Sequence, residues 1–475
     1  MYSGSDLKAS NFLRKHHQGS YFSLRKGEIM PNSSFKRVLT EKLADSLQGP
    51  LTLGTPRTLP GSPLVFPGKA TAILGMRRAG KTTLLHQIRQ KGLEDGLERE
   101  QVPFVNFEDE RLAGVEGTDL QLLLEEYYRR FPSWRGQEKV LWCLDEIQVV
   151  PGWEQFLRRM LDSENVQIYV SGSSAALLSQ ELATAMRGRA WKVVLHPFSF
   201  QEYLRHHRHA EPVGAFLTAV QRTGLERAFL DYLSSGGFPE AQGLAKGTRF
   251  QLLQDYVDVA ILRDVVDRHR VSNVVGLRWL VRHLLSNAAG SFSVEKFYAA
   301  LKSQGISISK DTVHQLLSHL EDCFLIRTVW VEAQSERRRM VNPRKCYPID
   351  PGLIPVFDRS GRANLGHVLE TAVFLELERR GWEVTYVRTP TGTEIDFLTR
   401  QPGGSRELIQ VCADASALET QNRELRALEE ASNLYPDAGK RLLVLTRDGL
   451  PSQLPPDVVA QPAYEWMLEN LSSGK

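Results

Sequence analysis

The stretch ATAILGMRRAGKTTLLHQI, residues 70 to 88, constrains the fold more than any other. Five mainly apolar, largely small residues read as a buried strand. Gly75, Gly80, Lys81 and Thr82 then fit GxxxxGK[ST], and an apolar-periodic helix follows. In that context the loop turns its backbone N–H groups toward phosphates and the helix adds its positive N-terminal end. Lys81 is placed for the β- and γ-phosphates. The Thr82 hydroxyl is placed for Mg²⁺, and Thr83 extends the nucleotide-binding set. The implied ligands are ATP and Mg²⁺. A chain holding this unit must build a parallel α/β sheet around it.

The partner motif is KVLWCLDEIQ, residues 139 to 148, a buried strand ending in two carboxylates. Asp145 suits Mg²⁺ and Glu146 suits the base that orients attacking water. PFVNFED, VQIYVSGSS and AWKVVLHP supply further strands between helical segments, which predicts five strands with helices on both faces. Polar residues fall at the carboxyl ends, where such sheets bind ligands. Ser171 and Ser173 close the fourth strand. One of them senses the γ-phosphate, or Ser173 or Ser174 caps the next helix.

GMRRAGKTTLL, DEIQ, SGSSAALLS, MRGRA before LHPFSFQEY, and SSGGFPE together resemble the predicted AAA+ superfamily ATPases of bacteria and archaea, over about residues 66 to 450. Those proteins carry a C-terminal nuclease-like domain. The resemblance implies an arginine finger at Arg187 or Arg189, reaching into a neighbouring subunit of a homo-oligomer, with a hexamer among the forms. It also implies that Pro239 lies near the adenine. Read locally, Pro239 simply follows a helix stop at Gly236 and Gly237.

Residues 291 to 331 read as helix, turn at Gly305, then a second helix capped by Ser309. Val313, Leu316, Leu317 and Leu320 line its inner face. Lys310, His314, Gln315 and His319 line the other. Strands LIRTVWV and CYPID flank SERRRMVNPRK, so the segment predicts a winged helix with its wing at Arg337, Arg338, Arg339, Arg344 and Lys345. Five cations in eleven residues favour DNA phosphates, and a protein-binding wing is the alternative.

The C-terminal order, helix 364 to 380 with Glu370, then WEVTYVR, TEIDFLT with Asp396, ELIQVCAD, a helix and KRLLVLTR, resembles the PD-(D/E)XK nuclease fold. That resemblance implies a glutamate and a lysine where this chain has Gln410 and Cys412. Hard cations prefer carboxylates, and a thiol supplies no permanent cation. The expectation is a fold that holds a DNA branch, a DNA end or a protein and does not cut.

The expected division is a basic, partly extended arm (1–65), an AAA+ core (66–200), a helical lid (201–272), a winged helix (273–350) and a restriction-endonuclease-like α/β domain (351–475). The arm carries nine Lys+Arg against four Asp+Glu, suiting a solvated tail or a nucleic-acid contact equally. Four scattered cysteines without a CxxC pair, and no long apolar run, place the chain in the cytoplasm rather than a membrane. The leading expectation is a DNA-remodelling or junction-processing ATPase on branched, single-stranded or duplex DNA. A nucleotide-controlled switch acting on a protein is second, and an ATP-gated nuclease last.

Overall fold

In the computed structural model of the chain, the described residues are 32–59, 66–174, 186, 188–209, 217–333, 335–358 and 364–469. Among them, no helix is long and apolar enough to cross a membrane.

Strands β1 (Ala70–Leu74), β2 (Phe104–Asn106), β3 (Val140–Asp145), β4 (Val166–Gly172) and β5 (Ala190–Val194) form a sheet of order β2-β3-β4-β1-β5. All its pairings are parallel. Both faces are covered, which explains the unbroken apolar strands. Ile73, Leu141 and Cys143 point to Leu84, Leu85 and Ile88 of helix α2 (Lys81–Glu94). Trp142, Leu144 and Val170 face the opposite layer, with α3 (Leu120–Arg130) and α4 (Trp153–Ser163). Each fully buried leucine of this kind contributes about 1.5–3 kcal/mol relative to exposure.

The N-terminal expectation needs correction. Within 1–65, helix α1 (Asn32–Gln48) packs on the core through Phe35, Val38, Leu39 and Leu43. That spacing is a helical stripe, so residues 32–48 dock on the core as a helix. Arg89, itself buried, donates to Ser46 O at 2.7 Å and so satisfies a carbonyl of the last turn of α1.

Beyond β5 come α5 (Phe200–His206), α6 (Ala219–Ser235) and α7 (Lys246–Val259), the last continuing into a π-helical stretch, Ala260–Asp267. Helix α8 (Val274–Ser286) leads to β6 (Ser291–Phe292), α9 (Val294–Ser303) and α10 (Lys310–Asp322). Ser309 caps α10 by accepting from Thr312 N at 3.0 Å. Strands β7 (Ile326–Val329) and β8 (Arg344–Pro348) complete an antiparallel sheet of order β6-β8-β7. Between β7 and β8, in the segment read as the basic wing, lies helix α11 (Glu336–Val341). Four long side chains in a row, Glu and three Arg, are good helix formers and satisfy the backbone without a partner strand.

Helix α12 (Leu353–Phe357) precedes α13 (Leu365–Arg379), which carries Glu370. Strands β9 (Glu383–Arg388), β10 (Glu394–Arg400) and β11 (Arg406–Cys412), helix α14 (Leu418–Leu434), then β12 (Gly439–Val444), β13 (Val458–Pro462) and α15 (Ala463–Leu468) follow. The sheet order is β13-β12-β11-β10-β9, antiparallel on the β9 side and parallel on the β13 side. Strand β13 and helix α15 extend the element order read from sequence.

Candidate functional site: a phosphate loop and a lysine–carboxylate cluster

The loop Gly75–Gly80 leaves β1 at the centre of the parallel sheet. Gly75 is required by close approach, since a Cβ there would lie 2.2 Å from Leu195 O. Gly80 caps α2 in the left-handed region (φ 97°), which favours glycine. Lys81 Nζ donates to the Gly75 and Met76 carbonyls at 3.2 and 3.3 Å and sits 3.3 Å from Glu146 Oε1. Thr82 Oγ1 donates to Asp145 Oδ2 at 2.8 Å.

Asp145 is fully buried at the end of β3 and also accepts from Asn106 Nδ2 at 3.3 Å and from Ser171 Oγ. Burial, and then the neighbouring Glu146 charge, push its carboxyl above the usual range. A buried carboxylate whose charge is resisted by its surroundings, beside the Thr82 hydroxyl, fits a hard divalent cation. Asp145 and Thr82 would hold Mg²⁺, which supplies charge neutralisation on the phosphates. Glu146 adopts φ 52°, an uncommon and strained conformation for a side-chain-bearing residue, and its N–H donates to Ser171 Oγ at 2.9 Å. Burial pushes the Glu146 carboxyl up, yet Lys81 and a hydrogen bond from Gln148 outweigh it and hold it ionised. Ser171 therefore orients the acidic pair. Ser173 is the serine turned elsewhere: its Oγ lies 3.1 Å from Asp264 Oδ1.

Pro239 sits over this loop, its Cγ 3.9 Å from where a Gly80 Cβ would be. The glycines of SSGGFPE are packing devices that put it there. Asp350 accepts from Gly237 N at 2.6 Å, and a Cβ on Gly237 would strike Phe198 O at 2.3 Å. Arg57, not singled out by any motif, donates to Ala79 O at 2.7 Å and pairs with Glu202 at 2.9 Å, buttressing the loop from behind. Of the two expected finger arginines, Arg187 lies outside the described residues. Arg189 pairs with Asp162 of its own α4.

The basic segment divides. Arg337 is exposed, and Arg339 is partly buried, 3.8 Å from Glu336. The side chain of Arg338 lies outside the described residues. Arg344 stacks on the Trp330 ring at 3.6 Å. Lys310 pairs with Glu295 at 2.7 Å, and His314 is exposed. His319, read as outward-facing, instead stacks on His269 at 3.8 Å between ring centres.

Lys345 overturns its assignment as a DNA contact. It is 3% exposed, and its Nζ lies 2.9 Å from each of Glu370, Glu394 and Asp396. Strand β8 carries it edgewise into the neighbouring unit, because alternate β8 residues face α13. Tyr347, two residues on, donates to Glu370 at 2.7 Å. The ammonium has three protons and three carboxylate acceptors, so none is left for a phosphate. Asp396 Oδ2 also accepts from Val411 N at 3.0 Å. Gln410 serves this cluster structurally, accepting from Asp396 N at 3.2 Å and donating to Glu424 at 2.8 Å. Cys412 Sγ contacts Asp414 O at 3.2 Å. These residues do not fit a divalent cation as they stand, since a resident ammonium occupies the point where the carboxylates converge.

Residues 67–204 match the family described as AAA domain, and residues 226–361 match a domain of unknown function, DUF8612. The Walker-type ATPase PABY2304 of Pyrococcus abyssi is similar in structure at 16% identity and TM-score 0.38, covering 68% of this chain and 95% of that one. An uncharacterized protein of Haemophilus influenzae is 31% identical, covering 69% of this chain and 79% of its own. The uncharacterized protein MJ1544 of Methanocaldococcus jannaschii is 33% identical over 372 residues, 77% of this chain and 79% of the relative. With an AAA domain at its core, the chain belongs to the family of MJ1544.

Proposed function

We propose that this protein is an ATP-hydrolysing AAA+ ATPase that acts on DNA. The observation that carries the ATPase half is the convergence of Lys81, Thr82, Asp145 and Glu146 at the end of β3. Lys81 and the loop amides bind the phosphates. Glu146 accepts a proton from water, and Ser171 keeps the acidic pair in register. In this reading residues 273–350 form a winged helix whose α10 and α11 meet the duplex through His314, Arg337 and Arg339. Residues 351–475 form a nuclease-like fold that grips DNA without cutting it. Its Lys345–carboxylate cluster supports that silence, because the ammonium holds the metal's place. ATP turnover measured across single-stranded, duplex and branched DNA tests the reading. Stimulation by one class supports it, and rates indifferent to all of them exclude DNA as the partner.

The second reading, a nucleotide-controlled switch on a protein partner, draws on one observation. Arg344 is spent on Trp330 and Lys345 on carboxylates, which leaves the basic face thinner than its sequence promised. Tightly held, slowly exchanging nucleotide with no DNA effect would favour it.

A further inference from the structure

The phosphate loop carries an arginine at its third residue, and that side chain faces the reaction side of the site. Arg77 Nη1 donates to Glu108 Oε1 at 2.6 Å, and Nε donates to Asp264 Oδ2 at 2.9 Å. Glu108 lies just beyond β2. Glu146, whose charge also acts on Arg77, lies just beyond β3, and Ser173 just beyond β4. These are the carboxyl ends of adjacent parallel strands, where the terminal phosphate of a bound nucleotide must sit. Asp264 is 2% exposed and belongs to the π-helical stretch after α7. It also receives Ser173 Oγ at 3.1 Å and Arg268 Nη2 at 3.0 Å. Glu108 also receives Arg263 at 3.3 Å. Both acceptors thus keep another cation when Arg77 leaves them.

We propose that Arg77 is the arginine of the phosphoryl-transfer step, supplied by the chain's own phosphate loop, and that Glu108 and Asp264 hold it until ATP takes it. The proposal rests on the ATPase reading. A water oxygen bonds to the γ-phosphorus while the β–γ bridging P–O bond breaks, its electron pair staying on ADP. The water proton passes to Glu146. The planar guanidinium spans two equatorial oxygens as their charge grows, a fit that lysine's point charge lacks. Taking Arg77 from Asp264 unlatches the loop from the helical segment 260–267, so nucleotide state reaches the region next to α10. Hydrolysis then needs no arginine from a neighbour.

The test compares wild type, Arg77→Ala, Arg77→Lys, Asp264→Asn and Arg189→Ala as full chains. Measured are turnover at several protein concentrations, affinity for a fluorescent ATP analogue, and retention of ADP with aluminium fluoride. Arg77→Ala should lose at least about 100-fold in turnover, fail to retain ADP–aluminium fluoride, and change nucleotide affinity only a few-fold. Arg77→Lys should behave similarly. Asp264→Asn should tighten ATP binding several-fold and keep hydrolysis, whereas a merely structural pair would make both partners' variants fail alike. Turnover per chain should not depend on concentration. Full turnover in Arg77→Ala, or loss confined to Arg189→Ala with steep concentration dependence, overturns the proposal while leaving the ATPase reading intact. A wild type that neither binds nor hydrolyses ATP overturns both.

Discussion

Two lysines in this molecule are equally hidden, with side chains 4% exposed, yet their surroundings assign them opposite work. Lys81 holds two backbone carbonyls and one carboxylate, all at 3.2 to 3.3 Å. Lys345 holds three carboxylates at 2.9 Å. Backbone carbonyls at that distance are weak rivals for a polyphosphate, so Lys81 can exchange its partners for a guest. Lys345 cannot, because releasing it would strand three clustered carboxyl groups, two of them buried. Burial, and then the adjacent Asp396, push the Glu370 carboxyl up, so the cluster is crowded even with the ammonium present. A site open to ligands differs from a closed one less in residue types than in whether its cation is already satisfied.

The largest effects break the open site. Lys81→Ala should abolish nucleotide binding, while Glu146→Gln should bind ATP and lose about 10²–10⁴-fold in hydrolysis. Equal turnover by Glu146→Gln and wild type would remove Glu146 from its role. Breaking the closed site comes next. Lys345→Ala should destabilise the fold by about 3–5 kcal/mol, since it leaves buried anions unpaired. Mn²⁺ should recover part of that loss in a urea titration. The wild type should show no Mn²⁺ stabilisation through these carboxylates, and one that Asp396→Asn abolishes would mean the cluster is open after all.

A smaller effect sharpens what remains of the basic face. Arg337→Ala with Arg339→Ala should weaken DNA binding alike across sequences and lower the salt slope by about 1 per lost phosphate contact. An unchanged slope would point to a protein partner. The smallest expected change is in cleavage by Cys412→Lys. Placing a lysine at 412 while Lys345 still fills the cluster should leave plasmid DNA uncut in Mg²⁺ or Mn²⁺, as should the wild type. Nicking by this variant alone would locate the deficiency at position 412.

Much of the glycine-rich loop and its acidic partner strand was legible because their signals are local. Gly75 to Thr82 is one strand–loop–helix unit, and the Asp145–Glu146 pair ends one apolar strand, so spacing alone carries the chemistry. The Ser309 cap three residues before its Thr312 donor was legible for the same reason. Helix α1 was also written locally, in Phe35, Val38, Leu39 and Leu43, but the basic composition around it drowned that stripe. Three adjacent arginines between strands read as a wing, whereas helix propensity folded them into α11.

What the linear chain by itself determined, then, is which segments become helices and strands and which short motifs can touch a phosphate. Where each charge ends up was decided only in three dimensions. Arg77 meets Asp264 across 187 residues, Arg57 meets Glu202 across 145, and Lys345 meets Asp396 across 51. A lysine in a basic run has the same local signature whether it faces solvent or enters an acidic core. Its fate depends on desolvation and on the partners that desolvation makes strong, and both exist only once the sheets have packed.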